Sequence, residues 1–143
     1  MPGPVGLGEN DNIRLVMEAG KKILHVEDDR AIQILVRAIL EKAGYQVFSA
    51  LDAMQGLMMV RQIQPDLVVL DIMMPAGGGA SVHGRVRALN SSFAVPILIY
   101  SASDPSEIAK KIPADPLTFV LQKPAPPAAI LDAVKKLLAA AAP

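Results

Sequence analysis

The chain has 143 residues, with 14 Lys+Arg against 14 Asp+Glu, so its formal net charge is zero. It is 52% hydrophobic but has no Cys, no Trp and only 3% aromatics, so its core must be aliphatic. These figures exclude a disulfide scaffold, a thiolate metal site, a cysteine nucleophile and intrinsic disorder. They also give no electrostatic case for direct nucleic-acid binding or for a membrane surface. The longest stretch without Asp, Glu, Lys or Arg is Ala88–Ser103, which is too short to span a bilayer and is interrupted by Pro96.

Residues 1–20 read as a flexible extension outside the fold, because MPGPVGLG cannot hold a regular element and has no secretory-signal pattern. Ile13–Ala19 is long enough for one helical turn or two. From Lys21 an alternation begins. Ile23–Val26 is a short apolar run that ends in acids. Arg30–Ala43 has helical period, with Ile32, Leu35, Val36, Ile39 and Leu40 on one side and Gly44 as its stop. Tyr45–Ala50 is strand-like. Asp52–Gln62 is helix-like, with Met54, Leu57, Met58 and Ile63 near helical spacing. Leu67–Leu70 is a continuous aliphatic run, as in a strand buried on both faces. After the Gly-rich loop Pro75–Gly79, Ala80–Leu89 reads as a helix. Pro96–Tyr100 is a second buried run. Asp104-Pro105-Ser106-Glu107 predicts a capped helix that Pro113 keeps short. Thr118–Leu121 is a fifth strand. Pro126 opens a last helix that buries Ile130, Val134, Leu137 and Leu138, and residues 139–143 form a low-information tail.

Five strands alternating with five helices predict an α/β fold, a parallel sheet with helices on both faces. In such sheets functional groups gather at the carboxyl ends of the strands. Those ends carry Glu27-Asp28-Asp29, Asp71, Tyr100-Ser101 and Gln122-Lys123-Pro124. Taken singly, each has a plain reading: Asp28 or Asp29 as a helix cap, Asp71 as a turn former, Lys123 and Ser101 as solvated groups. Their coincidence at one edge favours a functional one. Two carboxylates roughly 5 Å apart repel by about 3 kcal/mol at an effective dielectric near 20. An all-oxygen donor set selects a hard divalent ion such as Mg2+, and Lys123 with Ser101 suits a phosphoryl group. Asp71 could then be a nucleophile that forms an acyl phosphate.

The segments KKILHVEDD, PDLVVLDIMMP, VPILIYSAS and FVLQKP resemble the receiver domain of bacterial two-component response regulators, the CheY-like family. The resemblance covers residues 21–138, read as one receiver domain. It rests on joint order and spacing, since 30 positions separate Asp71 from Ser101 and 22 separate Ser101 from Lys123. It implies a doubly wound, flavodoxin-like sheet in strand order 2-1-3-4-5. Residue by residue, it implies Asp71 as phosphoacceptor and Glu27, Asp28, Asp71 and the Met73 carbonyl as Mg2+ ligands. Ser101 matches the switch hydroxyl, Lys123 the phosphate-pairing lysine, Pro124 a residue often joined by a cis peptide, and Gly79 the glycine of the loop after the phosphoacceptor.

The implied function is a cytoplasmic switch, not an enzyme, that takes a phosphoryl group from a histidine kinase or phosphotransfer protein and loses it slowly by itself. Residues 105–112 and 118–138 would form the face for a second copy or an effector domain. The sequence departs from the family at three places. Val120 stands where a switch aromatic is usual, and strand alternation points the adjacent Phe119 to the other face. Gly77-Gly78-Gly79 replaces the usual acid before the loop glycine. The helix after strand four is short. Val120 and the Gly triplet motivate a second reading, a receiver-fold interaction module with weak or absent phosphorylation-dependent output. A small Mg2+-dependent phosphatase or a flavin protein is disfavoured, because there is no separate general acid and no aromatic pair to stack on a flavin. Of the remaining features, His83 reads as a surface histidine, His25 as packing, and Lys135-Lys136 as a solvated helix face.

Overall fold

The computed structural model describes residues 20–73, 78–89 and 95–141. Residues 1–19 of the extension, 74–77 of the Gly-rich loop and 142–143 of the tail lie outside them. Among the described residues five strands are present: β1 (Lys22–Val26), β2 (Gln46–Ala50), β3 (Leu67–Leu70), β4 (Ile97–Ser101) and β5 (Thr118–Gln122). They alternate with α1 (Arg30–Lys42), α2 (Ala53–Ile63), α3 (Gly78–Leu89), α4 (Pro105–Lys111) and α5 (Pro127–Ala141). All the strand pairs are parallel and the order is β2-β1-β3-β4-β5, as expected.

Alternation along each strand feeds two apolar layers. Leu24, Val26, Val68, Leu70, Ile97 and Ile99 pack with Val60, Val82, Val86 and Ile108, the side covered by α2, α3 and α4. Ile23, Leu67, Val69, Leu98 and Tyr100 pack with Val36, Leu40, Ile130, Val134 and Leu137, the side covered by α1 and α5. The central strands β1, β3 and β4 therefore feed both apolar layers, and β3 and β4 are buried at every position. No helix among the described residues is long and apolar enough to cross a membrane.

Local chemistry sets the helix ends. Asp29 caps α1 by accepting from the amides of Ala31 and Ile32, and Asp52 caps α2 by accepting from Gln55 N. Asp104 accepts from Ser106 N with Pro105 in the first turn of α4. Gly44, just beyond α1, has φ +99°, which a residue with a Cβ adopts only at a cost. α4 has only 7 residues, and Ile112 leaves helical geometry before Pro113.

Two helix faces differ from the sequence reading. In α2 the buried residues are Gly56 and Val60, while Met54 is 82% exposed and Met58 is half-exposed. The cause is close approach. A Cβ on Gly56 would lie 2.9 Å from a Val26 methyl, so the bare glycine is the contact that lets α2 sit on β1. In α1, Leu35 falls on the rim beside Ile34, and both are more than half exposed. Val36 and Leu40 make the seam instead.

Candidate functional site

The sheet's ladder places the site. Glu27 N donates to Ala50 O at 2.9 Å, Asp71 N to Val26 O at 3.0 Å and Lys123 N to Ser101 O at 2.8 Å. Glu27, Asp71 and Lys123 are thus each held one position beyond their strand by the neighbouring strand. Four strand ends arrive at one edge because the order and register bring them there.

Carboxylate oxygens of Glu27, Asp28 and Asp71 lie within 4.8 Å of one another. Glu27 and Asp71 are buried and Asp28 is exposed. Lys123 Nζ sits 2.5 Å from Glu27 Oε1 and 3.6 Å from Asp71 Oδ2. Asp71 Oδ1 accepts from Met73 N at 3.1 Å, and Glu27 Oε2 accepts from Asp29 N at 3.3 Å. Ser101 is fully buried, with its hydroxyl oxygen accepting from Ser103 N at 3.3 Å. The peptide between Lys123 and Pro124 is cis. Val120 lies opposite Ile99 in the ladder and is 42% exposed, whereas Phe119 packs on the α1–α5 side, as alternation requires.

The charges do not balance. Three carboxylates face one ammonium, about −2 if all are ionised. Burial pushes the Glu27 carboxyl up to about 7; the Lys123 hydrogen bond opposes this and the Asp71 charge adds to it. His25, two residues earlier, is driven the other way, to about 4, by burial first and then by Lys123. His25 packs in the core as expected, and its Nδ1 has no hydrogen-bond partner among the described residues. An all-oxygen donor set with surplus negative charge is the chemistry a hard divalent cation satisfies, so these residues fit Mg2+. A groove of about 830 Å³ between α2 and α3 reaches Asp28 and gives it an open flank.

Sequence reasoning missed several supporting groups. Gln33 Nε2 donates to Glu27 O at 2.7 Å and to Ala50 O at 3.1 Å, which stitches α1 to the ends of β1 and β2. Tyr100 is placed by the sequence at the end of a buried strand but given no role there. Its ring lies 5.6 Å from Lys123 Nζ and its hydroxyl accepts from Ala125 N at 3.2 Å. His83 corrects the surface reading. It is only 4% exposed, and its Nε2 lies 3.1 Å from Thr118 Oγ1 and 3.5 Å from Asp115 Oδ2. It was drawn inward by a second polar cluster at the opposite end of the sheet. There Arg87 donates to both oxygens of Asp115, to Thr118 Oγ1 and to the carbonyls of Val95 and Leu117. Burial and the adjacent Arg87 lower the pKa of His83. Asp115 is held below the usual carboxylate range: burial pushes it up, but bonds from Thr118, Arg87 and Leu117 N outweigh that.

Comparison with known proteins fits this geometry. The family described as "Response regulator receiver domain" matches residues 23–135. Sporulation initiation phosphotransferase F of Bacillus subtilis is 36% identical over 119 residues, covering 82% of this chain and 94% of that protein. The DNA-binding dual master transcriptional regulator RpaA of Synechocystis is 41% identical over 81 residues, 57% of this chain but only 34% of RpaA. The chain therefore spans about a third of that longer relative. Among solved structures, the chemotaxis response regulator CheY4 of Vibrio cholerae superposes with a TM-score of 0.75 at 27% identity, covering 83% of this chain and 99% of that one.

Proposed function

The chain belongs to the response regulator receiver domain family, and from that premise we propose that residues 21–138 form a phosphoacceptor switch with Asp71 as the acceptor. The observation that carries this is the shared edge of Glu27, Asp28 and Asp71 with Lys123 reaching both buried acids. The donor is a phosphohistidine on a histidine kinase or phosphotransfer protein. An Asp71 carboxylate oxygen attacks phosphorus, the P–N bond breaks, and the leaving imidazole keeps the electron pair and takes up a proton. Lys123 pairs with the incoming oxygens, giving up part of its hold on Glu27. The Ser101 hydroxyl, at the end of β4, is the donor for the phosphoryl group in the switched state. Glu27, Asp28, Asp71 and the Met73 carbonyl would hold Mg2+, which supplies charge neutralisation for the transferring phosphoryl. The test is intact-mass analysis after incubation with Mg2+ and acetyl phosphate. The wild type gains one phosphoryl group and Asp71→Asn gains none. An unlabelled wild type, or a labelled Asp71→Asn, overturns the assignment.

A second reading draws on Val120, whose small exposed side chain supplies no ring to couple to Ser101. On this reading the face of residues 105–112 and 118–138 binds a partner or a second copy whatever the state of Asp71. Equal partner affinity for wild type and Asp71→Ala under phosphorylating conditions supports it, and a large difference rejects it.

A further inference from the structure

We propose that Tyr100 is a positioning residue for Lys123, its ring seating the ammonium and its hydroxyl holding the turn that carries it. The inference rests on the assignment of Lys123 to the incoming phosphoryl group. Three contacts tie the lysine loop to the last two residues of β4. Lys123 N donates to Ser101 O, Lys123 Nζ lies 5.6 Å from the Tyr100 ring centroid, and Ala125 N donates to the Tyr100 hydroxyl. The ring is 6% exposed and packs on the α1–α5 side of the sheet, so its own position is fixed.

A tyrosine suits this task better than another carboxylate. The ring face attracts a cation without fixing its direction, within roughly 6 Å of the centroid. At 5.6 Å the ammonium lies inside that limit while it is bonded to Glu27. A further acid would compete with the phosphoryl group for the same charge. The ring also restricts a side chain with four rotatable bonds, so less freedom is lost when the phosphoryl oxygens arrive. Val120 and Tyr100 serve opposite sheet faces: the missing ring would have acted on the Ser101 hydroxyl, whereas this ring acts on the lysine.

The test compares Tyr100→Phe, which keeps the ring, with Tyr100→Leu, which does not. With saturating Mg2+ and acetyl phosphate, the rate of Asp71 labelling is expected to fall about tenfold in Tyr100→Leu and much less in Tyr100→Phe. The second arm needs no phosphoryl donor. In a urea-denaturation cycle, Tyr100→Leu and Lys123→Met are expected to be non-additive, and the ring-current shift on the Lys123 Cε protons should vanish in Tyr100→Leu but persist in Tyr100→Phe. A merely structural tyrosine would move stability but leave the Lys123 cycle additive and the labelling rate of the folded variant unchanged. Wild-type labelling rates in Tyr100→Leu, or additive mutations with no ring-current shift, overturn the proposal. A wild type that shows the ring-current shift but never labels overturns the phosphoacceptor reading and leaves the lysine seat standing.

Discussion

The two ends of the sheet carry similar residues in opposite arrangements. At the amino end Arg87, Asp115, Thr118 and His83 form a network in which both Asp115 oxygens accept hydrogen bonds. At the carboxyl end three carboxylates cluster, Lys123 reaches only Glu27 and Asp71 of them, and the most buried, Glu27, is pushed up to about 7. One network is complete without a ligand and the other is short of positive charge. Buried polar groups are thus common to the two ends, and charge balance is what separates them.

The largest effect should come from breaking the complete network. Arg87→Ala strands Asp115 beside His83 and is expected to cost roughly 3–5 kcal/mol in urea denaturation. Asp71 labelling in the folded variant should persist, and loss of both together would mean the two ends are not independent.

The next test sharpens the contrast through pH. The Glu27 carboxyl titrates near 7 when folded and near 4.5 when unfolded, so its stabilising contribution is complete below about 4.5 and gone above about 7. His25 titrates near 4 folded and 6.5 unfolded, so its contribution grows as pH rises through that window and opposes the Glu27 effect. In metal-free buffer, Glu27→Gln should gain about 3 kcal/mol relative to wild type between pH 4.5 and 7. A flat difference curve would show that the carboxyl is not raised.

The smallest effect concerns the cation. Mg2+ at a hundredfold excess over its dissociation constant should stabilise the wild type by about 2.7 kcal/mol, and chelation should remove the gain. Asp28→Asn should weaken it and Arg87→Ala should leave it intact, both read as the Mg2+-dependent shift in the urea midpoint.

The fold was largely legible in the sequence because its signals are local. Aliphatic runs mark the central strands, Asp29 and Asp104 cap helices, and Ile130, Val134, Leu137 and Leu138 repeat at helical spacing. The acids and the lysine were legible as strand-end residues. What they touch was not. Lys123 and Glu27 are 96 positions apart, and Arg87 and Asp115 are 28 apart. Neither pair leaves a periodic trace. His83 was misread for the same reason, since its partners come from another element. The outward turn of Met54 and Met58 depends on Gly56 meeting Val26, a contact between elements that apolar spacing does not encode.

The strand order has a consequence for which charges stay still. Glu27 and Asp71 extend from β1 and β3, each paired on both sides, and Lys123 extends from β5, which among the described residues pairs only with β4. A 7-residue helix has no stability of its own, so α4 persists only while Ile108 and Ile112 remain docked beside that edge. Amide hydrogen exchange should therefore run fastest through α4 and β5 and slowest through β1 and β3. On that pattern the two buried negative charges would stand on the most protected strands, and the positive charge would hang from the edge that opens first.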